Sequence, residues 1–153
     1  MYTIRGAGIQ DIPVIKELFR ETVLSVNIRD YSPVQVQYWA ERGENNEIWK
    51  ERIGKEYFIL ALSGQQITGF AALKDNGYLD LLYIHKEYQH KGIASLLLST
   101  IEEYALQNNL TEITSDVSIT ARPFFESKSY IVLMQQTVDI GIEMINFKMR
   151  KLL

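Results

Sequence analysis

Apolar positions change period along the chain, and the changes mark its elements. After a short strand at Tyr2 to Arg5, residues Ile12, Ile15, Phe19, Val23 and Val26 recur at intervals of three and four. That spacing predicts a helix capped by Asp11, with Pro13 harmless in its first turn. Ser32-Pro33-Val34-Gln35 has the form of a capping box with proline at the first helical position. It predicts a short helix through Tyr38 and Trp39, followed by a further turn or two from about Asn46 to Gly54.

From Tyr57 the period shortens. Tyr57 to Leu62, Ile67 to Leu73 and Tyr78 to Ile84 are apolar runs separated by Ser63-Gly64-Gln65-Gln66 and Asn76-Gly77, which predicts three antiparallel strands joined by tight turns. Helical spacing returns with Ile93, Leu96, Leu97, Ile101 and Tyr104 on one face. A strand at Thr111 to Asp116, a short helix at Ala121 to Ser127 and a closing hairpin around Ile140-Gly141 complete a mixed α/β order.

Composition narrows the class. At 153 residues, with 46% hydrophobic and 23% charged residues, the chain is expected to form a single domain over residues 1–153. Sixteen Lys and Arg against nineteen Asp and Glu leave a net charge of −3, which disfavours nucleic acid as the main partner. With no cysteine there is no disulfide, thiol nucleophile or Cys-containing zinc site. His85 and His90 are the only histidines and no acidic cluster adjoins them, so no metal site is expected. No basic leader or long apolar run is present, and a cytoplasmic protein without a membrane partner, monomeric or homodimeric, is the expectation.

Chemistry concentrates where the strand ending at Ile84 runs through a polar loop into the strong helix. Backbone N–H groups at a helix start lack partners and favour an anion. Gly92 and the small Ala94 would let that backbone approach a pyrophosphate closely, with Lys91 and His90 adding positive charge. Gly64 and Gly69 have the glycine spacing of a nucleotide-binding loop, but Phe70 and Ala71 stand where Lys and Ser or Thr are needed.

The segment Gln89-His90-Lys91-Gly92-Ile93-Ala94 resembles the acyl-CoA signature of the GCN5-related N-acetyltransferases (GNAT): Gln or Arg, two residues, Gly, one residue, then Gly or Ala. The element order is similar to that family across nearly the whole chain. Asp30-Tyr31-Ser32-Pro33 with Trp39-Ala40, the segment Ser118 to Glu126, and Asn146-Phe147-Lys148-Met149-Arg150 look like its YafP-type branch. The resemblance implies a mostly antiparallel sheet of about seven strands, splayed between the fourth and fifth and flanked by about four helices.

It further implies acetyl-CoA as cofactor and CoA as product. The pantetheine arm would pair with the backbone of Leu82, Tyr83 and Ile84, with the acyl carbonyl near Leu82, where a backbone N–H could stabilise the oxyanion. Gln89, His90, Lys91, Gly92, Ile93, Ala94 and Ser95 would hold the pyrophosphate. Ser118, Arg122, Phe125 and Lys128 would border the cofactor on its other side.

Acetyl transfer needs a neutral amine and a proton for the departing thiolate. Asp80 and Asp116 lie on the two strands expected to splay and are candidate bases. Asp80 comes first, because period-two counting puts it on one face with Tyr78, Leu82 and Ile84. Many relatives carry tyrosine at the position of Phe125, and phenylalanine cannot donate a proton. That leaves Tyr130, Ser118 or water to protonate the thiolate. Tyr31, Tyr38 and Trp39 are candidate walls of an acceptor pocket, with Asn146 as a polar contact, although core packing is the stronger expectation for each aromatic taken singly. The expected activity is acetyl transfer to a primary amine of a small molecule, less so a peptide, and the alternative is a noncatalytic acyl-CoA-binding or sensing domain.

Overall fold

Residues 1–153 are described by a computed structural model. In chain order the elements are β1 (Tyr2–Gly6), α1 (Ile12–Ser25), α2 (Pro33–Glu41), α3 (Asn46–Lys55), β2 (Tyr57–Ser63), β3 (Gln66–Leu73) and β4 (Leu79–Ile84), then α4 (Ile93–Gln107), β5 (Glu112–Ser118), α5 (Arg122–Ser127), β6 (Ile131–Asp139) and β7 (Glu143–Leu152). The strands form two antiparallel sheets, ordered β1-β2-β3-β4 and β5-β7-β6. A single parallel bridge, Tyr78 to Thr114, joins them at the start of β4. Seven strands splayed between the fourth and fifth match the expected architecture, while the helices number five instead of about four.

The fifth helix is α3, expected only as a turn or two. The Asn45 side chain caps it, accepting from the Glu47 N–H at 2.9 Å, and Trp49 anchors it in the core with no exposed surface. Burying a side chain of this kind contributes about 1.5–3 kcal/mol, enough to stabilise a segment whose helical pattern is weak. The capping box of α2 forms as its sequence requires: Ser32 Oγ accepts from the Gln35 N–H, and the Ser32 N–H donates to Gln35 Oε1.

Asp11 does not cap α1. Its carboxylate accepts two hydrogen bonds from the Arg5 guanidinium, at 2.8 and 2.9 Å, and one from the Gly8 N–H, closing the 3-10 turn that precedes the helix. The neighbouring guanidinium outweighs partial burial and holds this carboxyl below the usual range. An ion pair formed by folding took the side chain that local sequence assigns to the cap.

Two hydrophobic clusters sandwich the four-stranded sheet. Phe58, Leu60, Phe70, Ala72 and Leu81 pack with α1, α2 and Trp49 of α3, while Ile59, Ala61, Ala71, Leu73 and Leu79 pack with α4 and the inner side chains of β5 and β7. Burial on both faces explains why β2 and β3 read as continuous apolar runs. Gly69 has a packing reason: a Cβ there would lie 2.9 Å from the Ile84 side chain and 3.0 Å from the Tyr83 carbonyl oxygen.

The alternation breaks in β4. Leu73 pairs with Leu79 and Ala72 with Leu81, so Asp80 is the extra residue of a β-bulge. Leu79 therefore joins the α4-side cluster, Leu81 the α1-side cluster, and Leu82 and Ile84 the α4 side again. Asp80 does not share a face with Leu82 and Ile84 as strict period-two counting requires. It points toward α3.

Candidate functional site

Beyond the Tyr78–Thr114 bridge, β4 and β5 diverge. Three bonds fix the apex of the gap: the Thr114 N–H donates to the Gly77 carbonyl at 3.1 Å, Ser115 Oγ donates to the Leu79 carbonyl at 2.8 Å, and the Tyr78 hydroxyl donates to Asp116 at 2.8 Å. Past Leu79 the β5-facing edge of β4 has no strand partner. The far end of β4 is also pinned, because the Ile84 carbonyl accepts from Thr22 Oγ1 at 2.9 Å and from Gln89 Nε2 at 2.7 Å. A strand held at both ends with one edge open is a rigid template for pairing with an extended ligand.

The gap opens into a cleft of about 540 Å³. Leu82, Tyr83 and Ile84 form its β4 wall. Gln89, His90, Gly92, Ile93, Ala94 and Ser95 form the mouth, and Ser118 and Phe125 lie across from them. Gly92 takes φ +84 directly before α4, a left-handed conformation that favours glycine, and a Cβ there would meet no atom within 4 Å. The space over the helix start is open, so its unpartnered N–H groups can reach a bound anion.

Lys91, Arg122 and Lys128 lie off the cleft wall. Lys91 is exposed beside the mouth. The Arg122 guanidinium stacks 4.5 Å over the Phe147 ring and pairs with Glu126 at 3.2 Å, and Lys128 sits over the Phe124 ring. The Arg122–Phe147 contact ties α5 to β7.

Asp80, Asp116 and Trp39 all border the cleft. Asp80 is largely covered, with 15% of its side chain exposed, and its Oδ2 lies 3.1 Å from Arg52 Nε of α3. Asp116 is exposed and accepts from two neutral donors, the Tyr78 hydroxyl and Gln136 Nε2. Tyr83 lies between the cleft and the α1-side core, where burial pushes its hydroxyl up to about 12.

Tyr130 stands apart. Its ring is buried behind Phe125, and its hydroxyl donates to Glu102 of α4 at 2.8 Å, with Lys151 closing the group. Burial first, and the Glu102 carboxylate next, raise this hydroxyl well above the ordinary tyrosine range. It is therefore a poor proton donor to the cleft.

Tyr31 is also a structural clamp: its hydroxyl donates to the Ile145 carbonyl at 2.7 Å and accepts from the Ile119 N–H at 2.9 Å. Tyr38 rests on Gly141 of the β6–β7 turn. Asn146, on β7 opposite Ser118, keeps a buried Oδ1 without a hydrogen-bond partner.

The sequence reading missed Thr22, Asn27, Arg29, Tyr88 and Thr120, which also line the cleft. Thr22 carried a signal, a polar residue directly before Val23 on the apolar face of α1. Thr120 Oγ1 is buried and unpartnered, which only the folded chain reveals.

Comparison with known proteins agrees with this geometry. A family model described as an acetyltransferase (GNAT) domain matches residues 27–151. The uncharacterized N-acetyltransferase YafP of Escherichia coli (strain K12) is 34% identical over 148 residues, covering 96% of this chain and 93% of that protein. A GCN5-related N-acetyltransferase from Rhodopseudomonas palustris, also described as an aminotransferase of class II, superposes with a TM-score of 0.96 at 26% identity, covering 99% and 95% of the two chains. The PaiA N-acetyltransferase of Thermoplasma acidophilum, solved in complex with coenzyme A, gives 0.81 at 23% identity, covering 100% and 99%.

Proposed function

The chain belongs to the GNAT acetyltransferase family, and from that premise we propose that it transfers acetyl from acetyl-CoA to a primary amine of a small molecule, acting as a single domain. The observation that carries this reading is the open edge of β4, which leads from a covered carboxylate, Asp80, to an unobstructed helix start at Gly92. The residues fit the cofactor. Gln89, His90, Gly92, Ile93, Ala94 and Ser95 surround a place for the pyrophosphate, and the β4 edge from Leu82 to Ile84 offers backbone partners to the pantetheine amides.

Acetyl-CoA supplies the activated acyl group, and the chain supplies position, polarisation and proton transfer. A β4 N–H directed into the gap stabilises negative charge developing on the acyl oxygen. Asp80 takes a proton from the acceptor ammonium, because it is covered and borders the cleft, whereas Asp116 is exposed and orients its neighbours. Trp39 and Tyr83 wall the acceptor side. Ser118 or water protonates the leaving thiolate, since Phe125 cannot and Tyr130 is engaged elsewhere.

Calorimetry with CoA, followed by thiol release from acetyl-CoA against a panel of polyamines, amino-acid amides and aminoglycosides, tests this reading. Binding with turnover on a panel amine supports it. Binding without turnover favours the noncatalytic acyl-CoA-binding alternative, and absence of binding at millimolar CoA removes the cleft assignment.

A further inference from the structure

Behind Asp80, on the side away from the cleft, lies a second cavity of about 580 Å³. Its walls are Ile48, Glu51, Arg52 and Lys55 along α3, Glu56 directly after it, Lys74 and Asp75 of the β3–β4 turn, and Asp80 itself. Asp80 is the one residue that borders both cavities. The bulge turns its carboxyl away from the Leu82 face and places it beside Glu56. Arg52 holds Asp80 Oδ2, while Glu56 Oε1 is buried and finds no donor. Two carboxyls this close, one of them with an unsatisfied buried oxygen, are relieved by a single proton held between them.

We propose that Glu56 is the second carboxyl of the proton-accepting pair: it receives from Asp80 the proton that the acceptor ammonium loses and releases it to solvent through the second cavity. The proposal rests on Asp80 acting as base. The acceptor R–NH3+ gives one proton to the Asp80 carboxylate. The freed nitrogen lone pair then forms the C–N bond as the C–S bond breaks, and a second nitrogen proton ends on the thiolate sulfur. The first proton passes from Asp80 to Glu56 and then to water, which restores both carboxylates.

Burial, and after it the charge and hydrogen bonding of Asp80, push the Glu56 carboxyl up to about 7. Arg52 and Lys74 oppose this shift, and Glu51, Lys55 and Asp75 are the other charged groups of the cavity. Only ionised Glu56 can take a proton from Asp80, so the relay operates as pH rises through about 7.

Two measurements test the relay. Carboxyl 13C NMR of the full chain needs no acceptor: Glu56 should titrate near 7 and move down in Asp80→Asn, and titration in the ordinary carboxylate range overturns the proposal. Steady-state kinetics with acetyl-CoA and the fastest panel amine give the second readout. The parent kcat should rise with pH through an inflection near 7. Glu56→Gln should lose that inflection and at least tenfold in kcat at pH 8, with KM for acetyl-CoA unchanged, and Glu56→Asp should recover part of both. A Glu56→Gln variant that keeps the parent rate and profile overturns the relay and leaves acetyl transfer standing. A parent that binds CoA and acetylates no panel amine brings down both.

Discussion

Asp80 and Asp116 stand on opposite walls of one cleft, yet their surroundings differ in every respect that matters to proton transfer. Asp80 is covered, displaced by a bulge and paired with Arg52, with a second carboxyl behind it. Asp116 is exposed and accepts from the neutral Tyr78 and Gln136. Cover and the Arg52 contact hold the Asp80 carboxylate in one place at the cleft wall, whereas the Asp116 carboxylate is taken up by the Tyr78 and Gln136 donors. Residue type and proximity to the cleft do not separate the two. Environment does.

The largest expected effect breaks this comparison directly. Asp80→Asn should lower kcat by about 10²–10⁴-fold, the usual range for loss of a positioned base, with little change in CoA affinity by calorimetry. Equal losses in Asp80→Asn and Asp116→Asn would erase the distinction between the walls.

The mouth of the cleft gives the next effect. Gly92→Asp should raise the CoA dissociation constant by about tenfold or more, or at least 1.4 kcal/mol, through repulsion of the phosphates. At φ +84 any side chain is strained, so some stability should be lost as well. Gly92→Asn is the control, since it carries the same strain without the charge. If both variants bind CoA alike, charge at the helix start does not govern binding.

Structural ties on the β5 side come third. Tyr31→Phe leaves the Ile145 carbonyl and the Ile119 N–H without their shared partner and should destabilise the protein by about 1–3 kcal/mol in denaturant melts. Unchanged stability would show that these backbone groups find other partners.

Stability against pH sharpens the contrast further. Glu56 binds its proton more tightly folded than unfolded, so its stabilising contribution is complete below the ordinary glutamate range and fades as pH rises through about 7. The parent Tm should therefore carry a component that declines from about pH 5 to 8, and Glu56→Gln should abolish it. An identical Tm profile in the two proteins counts against a proton shared between Glu56 and Asp80. The smallest effect belongs to Asp116→Asn, where an amide oxygen still accepts from Tyr78: kcat should stay within about threefold and stability within about 0.5 kcal/mol.

The period of the apolar residues was enough to predict the order of elements, the two hairpins of the first sheet and the strand that enters the α4 start, because each depends on local pattern and turn chemistry. The loop proposed to hold the phosphates was legible for the same reason, as Gln89 to Ser95 are contiguous and the proposal rests on their backbone. Errors fell where distant residues meet. The bulge at Asp80 comes from pairing with β3, and it reversed the face that period-two counting assigned. Asp11 left its cap position for Arg5, and Tyr31 and Tyr130 used their hydroxyls to clamp the fold.

Sequence by itself thus determined which elements form and where a backbone anion site can arise, since helix starts and tight turns follow from neighbours along the chain. Only the tertiary structure decided which carboxylate is covered, which hydroxyls are engaged and that Glu56 lies against Asp80. Burial and charge pairing are properties of surfaces brought together by folding, and residues 24 positions apart carry no local sign of their contact.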